Sequence, residues 1–119
     1  MADIRMGPAE TQFAEIIWAT EPIASGVLSK KAEEVLNWKK TTSFTVLKRL
    51  CERGIFQNQN GIVTSLISRN EFFARHSQQY VQDTFGGSLP AFLAAFSTHK
   101  KLTDKEIDEM KGLIEKMRG

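Results

Sequence analysis

Trp38-Lys-Lys-Thr-Thr-Ser-Phe-Thr-Val-Leu-Lys-Arg-Leu50 is the stretch that decides the fold of this chain. Placed at about 100° per residue, Ser43, Val46, Leu47 and Leu50 share one side of a helix and form a stripe fit for burial. Thr41, Thr45, Lys48 and Glu52 share the other side, with Phe44 at one edge and Arg49 at the opposite edge. Hydroxyls and cations so arranged suit phosphates and base edges in a DNA major groove. An ordinary amphipathic surface helix carries the same apolar stripe, so the neighbouring segments decide between the two readings.

Upstream, Gly7-Pro8 punctuates the chain and suits the first turn of a helix that carries Ala9, Phe13, Ile16, Ile17 and Trp18 and ends near Thr20. Trp18 is expected as a core anchor. Glu21-Pro22 breaks that helix, and Ser25 is expected to cap a second one through Val27, Leu28, Ala32, Val35 and Leu36. Asn37-Trp38-Lys39-Lys40 is a short turn, after which Thr41 or Thr42 is expected to cap a helix over 41–53. Two helices joined so tightly form a helix-turn-helix, whose second helix docks in the groove.

Downstream, Gly54 suits a helix C-terminus, and the periodicity then changes. Ile55–Gln59 and Ile62–Ser68 read as short strands around Asn60-Gly61, a strong hairpin signal. Three helices followed by a hairpin predict a winged helix over residues 1–68, in a mainly α chain. Asn58, Gln59 and Asn60 at its tip can hydrogen-bond to phosphates or backbone but carry no charge, which makes the wing a weak clamp.

Residues 69–119 return to helical periodicity and are expected to form a dimerisation region. Asn70 to about Thr84 carries Phe72, Phe73, Tyr80 and Val81, and Phe85-Gly-Gly-Ser88 interrupts it. Leu89, Phe92, Leu93 and Phe96 follow at helical spacing. Thr103-Asp-Lys-Glu106 is a capping box that opens a last helix with Ile107, Met110, Ile114 and Met117 in one seam and Leu113 beside it. These segments hold more large apolar side chains than a thin appendage buries alone. A second copy of the chain is the expected cover, through Phe72, Phe73, Phe92, Phe96, Ile107, Met110, Ile114 and Met117. Packing back on the same subunit is the alternative.

The 119 residues bear a net charge of only +2, but its distribution is uneven. Lys39, Lys40, Lys48, Arg49 and Arg53 crowd the stretch Trp38–Arg53 against Glu52 alone, while acidic residues gather between Asp104 and Glu115. A locally basic segment in a near-neutral chain is the footprint of a small polyanion-binding face. The single cysteine, Cys51, excludes an intramolecular disulfide and suits a reducing cytoplasm. No apolar run is long enough to span a membrane, and no secretory signal is expected. His76 and His99 lack a second ligand at helical spacing, and Gly86-Gly87-Ser88 lacks the lysine of a phosphate loop. No nucleophile system stands out, so neither an enzyme, a metal site nor a cofactor is expected.

Taken together, Glu15-Ile-Ile-Trp18, Trp38-Lys-Lys-Thr-Thr, Thr45-Val-Leu-Lys-Arg-Leu50, Arg53-Gly-Ile, Phe85-Gly-Gly-Ser-Leu89, Leu93-Ala-Ala-Phe96 and Leu102-Thr-Asp-Lys-Glu-Ile107 resemble the BlaI/MecI-type penicillinase and methicillin-resistance repressors, with the CopY copper repressors as cousins. The resemblance covers nearly the whole chain. It implies a cytoplasmic winged-helix repressor that binds palindromic operators as a homodimer joined by its C-terminal helices. By position, it assigns base and nearby phosphate contacts to Thr41, Thr42, Phe44 and Thr45. Where the methicillin repressors carry an arginine suited to guanine, this chain has Phe44, which can touch a thymine methyl or pack at the helix edge. In the family, a membrane-sensor pathway relieves repression by cutting an Asn-Phe bond; the aligned pair here is Ala95-Phe96. The copper branch ends in a cysteine-rich tail that this chain lacks.

The expectation is therefore a dimeric DNA-binding repressor. Lys39, Lys40, Lys48 and Arg49 meet phosphates, Thr41, Thr42, Phe44 and Thr45 meet bases, and Asn58 and Asn60 reach from the wing. Two rival readings are a winged helix used for protein–protein contact and a repressor that senses a small ligand.

Overall fold

The computed structural model describes residues 3–119. Six helices and three short strands follow one another as α1 (Pro8–Thr20), β1 (Ile23–Ala24), α2 (Ser25–Leu36), α3 (Lys40–Glu52), β2 (Phe56–Gln59), β3 (Ile62–Ser65), α4 (Arg69–Phe85), α5 (Leu89–Phe96) and α6 (Asp104–Met117). The chain divides into two compact units, one ending at Ser77 and one beginning at Gln78.

In the first unit, α1, α2 and α3 pack around one core with a small antiparallel sheet at its side. Phe13, Ala14 and Ile17 come from α1, Leu28 and Ala32 from α2, and Val46, Leu47 and Leu50 from α3. Ile55, Phe56, Val63 and Ile67 close the core from the hairpin. This is the winged helix that the sequence predicts. Trp18 anchors it as expected: its ring lies 5.3 Å from both Phe56 and Phe72, and its indole N–H donates to the Ile67 carbonyl at 3.0 Å.

The turn between α2 and α3 depends on Asn37, which takes the left-handed conformation at φ 57° and ends α2. Trp38 then stacks on Phe13 with ring centroids 5.1 Å apart, fixing where α3 begins relative to α1. At the far end of α3, Gly54 at φ 80° allows the Gly54 N–H to reach the Cys51 carbonyl and the Ile55 N–H the Leu50 carbonyl. That pair of hydrogen bonds closes the helix, and the buried Leu50 and Ile55 side chains flank it.

The sheet has the order β1-β3-β2. Asn60 and Gly61 both have positive φ, 54° and 82°, as a two-residue hairpin turn requires, and Gln59 pairs with Ile62 across it. The pairing stops at Ser65, short of the expected Ser68. Strand β1 was not expected; it pairs Ile23 with Val63 and Ala24 with Ile62. Two residues are too few for any periodicity to reveal. Glu21 adds a second tie, its carboxylate accepting from the Ser65 N–H and hydroxyl.

Two expected caps are absent. Ala24 and Lys39, not Ser25 and Thr41 or Thr42, hold the N-cap positions of α2 and α3, and neither helix has a side-chain cap. Ser25 is instead the first helical residue, and its N–H donates to the Gly61 carbonyl at 2.8 Å. The third cap is as expected: Thr103 and Glu106 form a capping box at α6, and the Thr103 bonds hold the Glu106 carboxyl below its ordinary pKa.

The first unit runs past residue 68, because α4 begins inside its core. Phe72 is only 1 % exposed, Phe73 packs at the core margin, and Arg69 bridges Glu15 at 2.8 Å. Phe72 was expected at a dimer seam; burial against Trp18 and His76 removes it from any partner-facing surface.

The second unit is built differently. Tyr80, Phe85 and Phe92 form an aromatic knot with centroids 5.6–6.2 Å apart, joining the end of α4 to α5. Neither α5 nor α6 has a single fully buried residue.

Candidate nucleic-acid interface

Burial of Ser43, Val46, Leu47 and Leu50 settles which side of α3 faces out. Lys40, Thr41, Thr42, Phe44, Thr45, Lys48 and Arg49 are all exposed, and Lys39 precedes them at the exposed N-cap. The structure therefore brings every expected α3 residue to one accessible surface. Among the described residues, Lys39, Lys40 and Lys48 have no carboxylate partner within ion-pair distance. Their charge is open to an external anion.

Arg49 is placed differently from the lysines. It leans toward α1, where Glu10 lies 3.7 Å from its guanidinium and 3.4 Å from that of Arg53. The arginine at the α1 edge thus shares its charge with an internal carboxylate. Glu52 ends the outward face with the opposite charge, so the N-terminal half of α3 is the more electropositive half.

The missing side-chain cap has a consequence here. The first N–H groups of α3 carry the positive end of the helix dipole and are unclaimed by any capping side chain. Together with Lys39 and Lys40 they form a surface suited to a phosphate.

Thr45 differs from what its residue type suggests. Its hydroxyl donates to the Thr41 carbonyl one turn earlier, at 2.8 Å. The hydroxyl proton is committed, so Thr45 offers outward its methyl group and a lone pair. Phe44 stands beside it, 36 % exposed and outside the core cluster, with the Lys40 ammonium 5.9 Å from its ring centre. Spacing alone puts Phe44 at the edge of the face; in the fold the residue stays outside the core cluster.

The wing contributes exposed Asn58, Gln59 and Asn60. No charged residue lies between Ile55 and Ser68, so its contacts are limited to hydrogen bonds. Cys51, in the last turn of α3, is half-buried, and burial, with Glu52 adding to it, raises its thiol pKa. No cluster of metal-ligating side chains occurs among the described residues.

In the second unit, α5 and α6 enclose a trough of about 440 Å³ lined wholly by apolar side chains, among them Phe92, Leu93, Met110, Leu113, Ile114 and Met117. Leu113, Ile114 and Met117 are 59 %, 55 % and 66 % exposed, and Phe96 is exposed beyond them. Ile107 and Met110 are half-buried. Ala95 and Phe96 sit at the end of α5, both accessible. No helix among the described residues is long and apolar enough to cross a membrane.

Comparison with known proteins agrees with this architecture. A family model described as penicillinase repressor matches residues 6–116, which takes in the winged helix and all three following helices. The penicillinase repressor of Bacillus licheniformis is 21 % identical over 115 residues, covering 93 % of this chain and 90 % of that protein. With a winged helix in place and the match extending through α6, the chain belongs to the penicillinase repressor family of transcriptional regulators.

Proposed function

We propose that this repressor acts by binding a dyad-symmetric DNA operator as a homodimer. The observation that carries the proposal is the outward face of α3: unpaired Lys39, Lys40 and Lys48 surround Thr41, Thr42, Phe44 and Thr45 at a helix start with no side-chain cap. The lysines and the helix N-terminus meet phosphates, and the side chains between them meet base edges. Arg49 adds a weaker contact because Glu10 competes for it, and Asn58 and Asn60 touch backbone from the wing.

Dimerisation is assigned to the second unit. The seam is proposed to run through Phe92, Phe96, Ile107, Met110, Ile114 and Met117: Phe96, Ile114 and Met117 are exposed, Phe92 and Met110 line the trough, and Ile107 is half-buried one turn before Met110. A second copy offers the same surface and closes it by two-fold symmetry. Phe73, at the margin of the first unit's core, contributes little to that seam. Two copies so joined present two α3 helices to successive turns of a duplex, roughly 34 Å apart.

Relief of repression is assigned to cutting between Ala95 and Phe96 by a sensor-controlled protease. Cleavage there detaches α6, and with it one wall of the apolar trough, from the DNA-binding unit. The deciding experiment is selection of duplexes from a random pool by the purified chain. Enrichment of inverted half-sites about one turn apart supports the proposal; enrichment of none refutes it.

A further inference from the structure

We infer that Phe44 is a specificity-determining residue that selects thymine in each half-site through its 5-methyl group. The inference rests on the DNA-binding role proposed for α3 and adds the chemistry that this helix reads.

The first support is position. Phe44 sits one turn after Lys40, next to Thr41 and one turn before Lys48, all exposed on the same surface. Phe44 is outside the core cluster and 36 % exposed, so about a third of a large apolar residue is left open to solvent on this face. Its exposed edge is covered only when something docks on α3.

The second support is the chemistry of the neighbours. Because the Thr45 hydroxyl donates into its own helix, the position after Phe44 is left with a methyl group and a lone pair rather than a free donor. The Lys40 ammonium lies 5.9 Å from the Phe44 ring centre, and Lys48 is exposed one turn further on. Neither Phe44 nor Thr45 has a hydrogen-bond donor to spare for a base.

The third support is the chemistry of base edges. In the major groove guanine, adenine and cytosine present donors or acceptors, and thymine alone adds a methyl group at C5. An aromatic ring pressed against a polar edge strips its water and returns no hydrogen bond, which is unfavourable. Pressed against the thymine methyl, the same ring buries apolar surface on both partners. Thymine is the base that loses least and gains most.

Deoxyuridine tests this, since it differs from thymidine only by that methyl. On the duplex selected by the wild-type chain, thymidines are replaced one position at a time and affinity is measured by fluorescence anisotropy. One position in each half-site should weaken binding about fourfold on losing its methyl. In Phe44→Ala that position should become indifferent to the replacement. Phe44→Leu, which keeps an apolar side chain, should retain the preference, and circular dichroism checks that both variants fold. The inference is overturned if no replacement affects the wild type, or if Phe44→Ala suffers the same loss at the same position. Failure to select any duplex would sink the DNA-binding role itself and this inference with it.

Discussion

Replacing Ile114 by glutamate tests the dimer assignment most directly. Full burial of an isoleucine side chain stabilises by about 1.5–3 kcal/mol. Ile114 is already a little under half covered within its own subunit, at 55 % exposed. Association can therefore add roughly half of that figure in each protomer, or about 2–3 kcal/mol over the two copies of a symmetric dimer. Losing it weakens dimerisation about 30- to 150-fold. The figure is a lower bound, because the introduced carboxylates meet desolvation on closing the seam. The subunit fold should survive, since Ile114 belongs to no buried core. Sedimentation velocity over a dilution series reads the monomer–dimer constant, and operator affinity should fall in parallel. An unchanged constant for Ile114→Glu, with circular dichroism intact, would refute the α5–α6 trough as the dimer surface.

Other substitutions probe the winged helix. Ser43 is buried on α3 with its hydroxyl unpaired, so Ser43→Ala should raise stability by about 1 kcal/mol in urea unfolding, helped by the better helix propensity of alanine; a loss would mean the hydroxyl is satisfied. Lys48→Ala should reduce the log–log salt slope of operator binding by about 1 per protomer, and Arg49→Ala by less because Glu10 shares that charge; equal effects would remove Glu10 from the account. Cys51 should react with iodoacetamide more slowly in the folded than in the unfolded chain. Burial favours the neutral thiol, so the folded rate should reach half-maximum at a higher pH than the unfolded rate; coincident profiles would contradict the raised pKa.

What the sequence made legible were features written in consecutive residues. Asn60-Gly61 announced the hairpin turn, Thr103 and Glu106 the start of α6, and Gly54 the end of α3, because each acts through bonds to near neighbours in the chain. The outward face of α3 was legible for the same reason: its stripe repeats at helical spacing. What stayed hidden was decided by residues far apart. The two residues of β1 are strand only because β3 lies beside them. Ser25 is the first helical residue rather than the cap, and its N–H is bonded to Gly61, which lies far along the chain. Phe72 and Ile114 look alike as apolar positions on helices, yet one fills a core beside Trp18 and the other is left open. Periodicity says that a side chain needs cover and not which surface supplies it.

The lacing of β1 onto β3, with Ser25 bonded to Gly61, constrains how the protein can meet its target. The hairpin is stitched to the first residue of α2, and α2 leads through a tight turn to α3. In the proposed complex, hairpin and α3 would act as the jaws of a caliper tied together through β1 and α2. Adjustment would then fall to the duplex, favouring sequences that bend or narrow cheaply even at positions no side chain reaches.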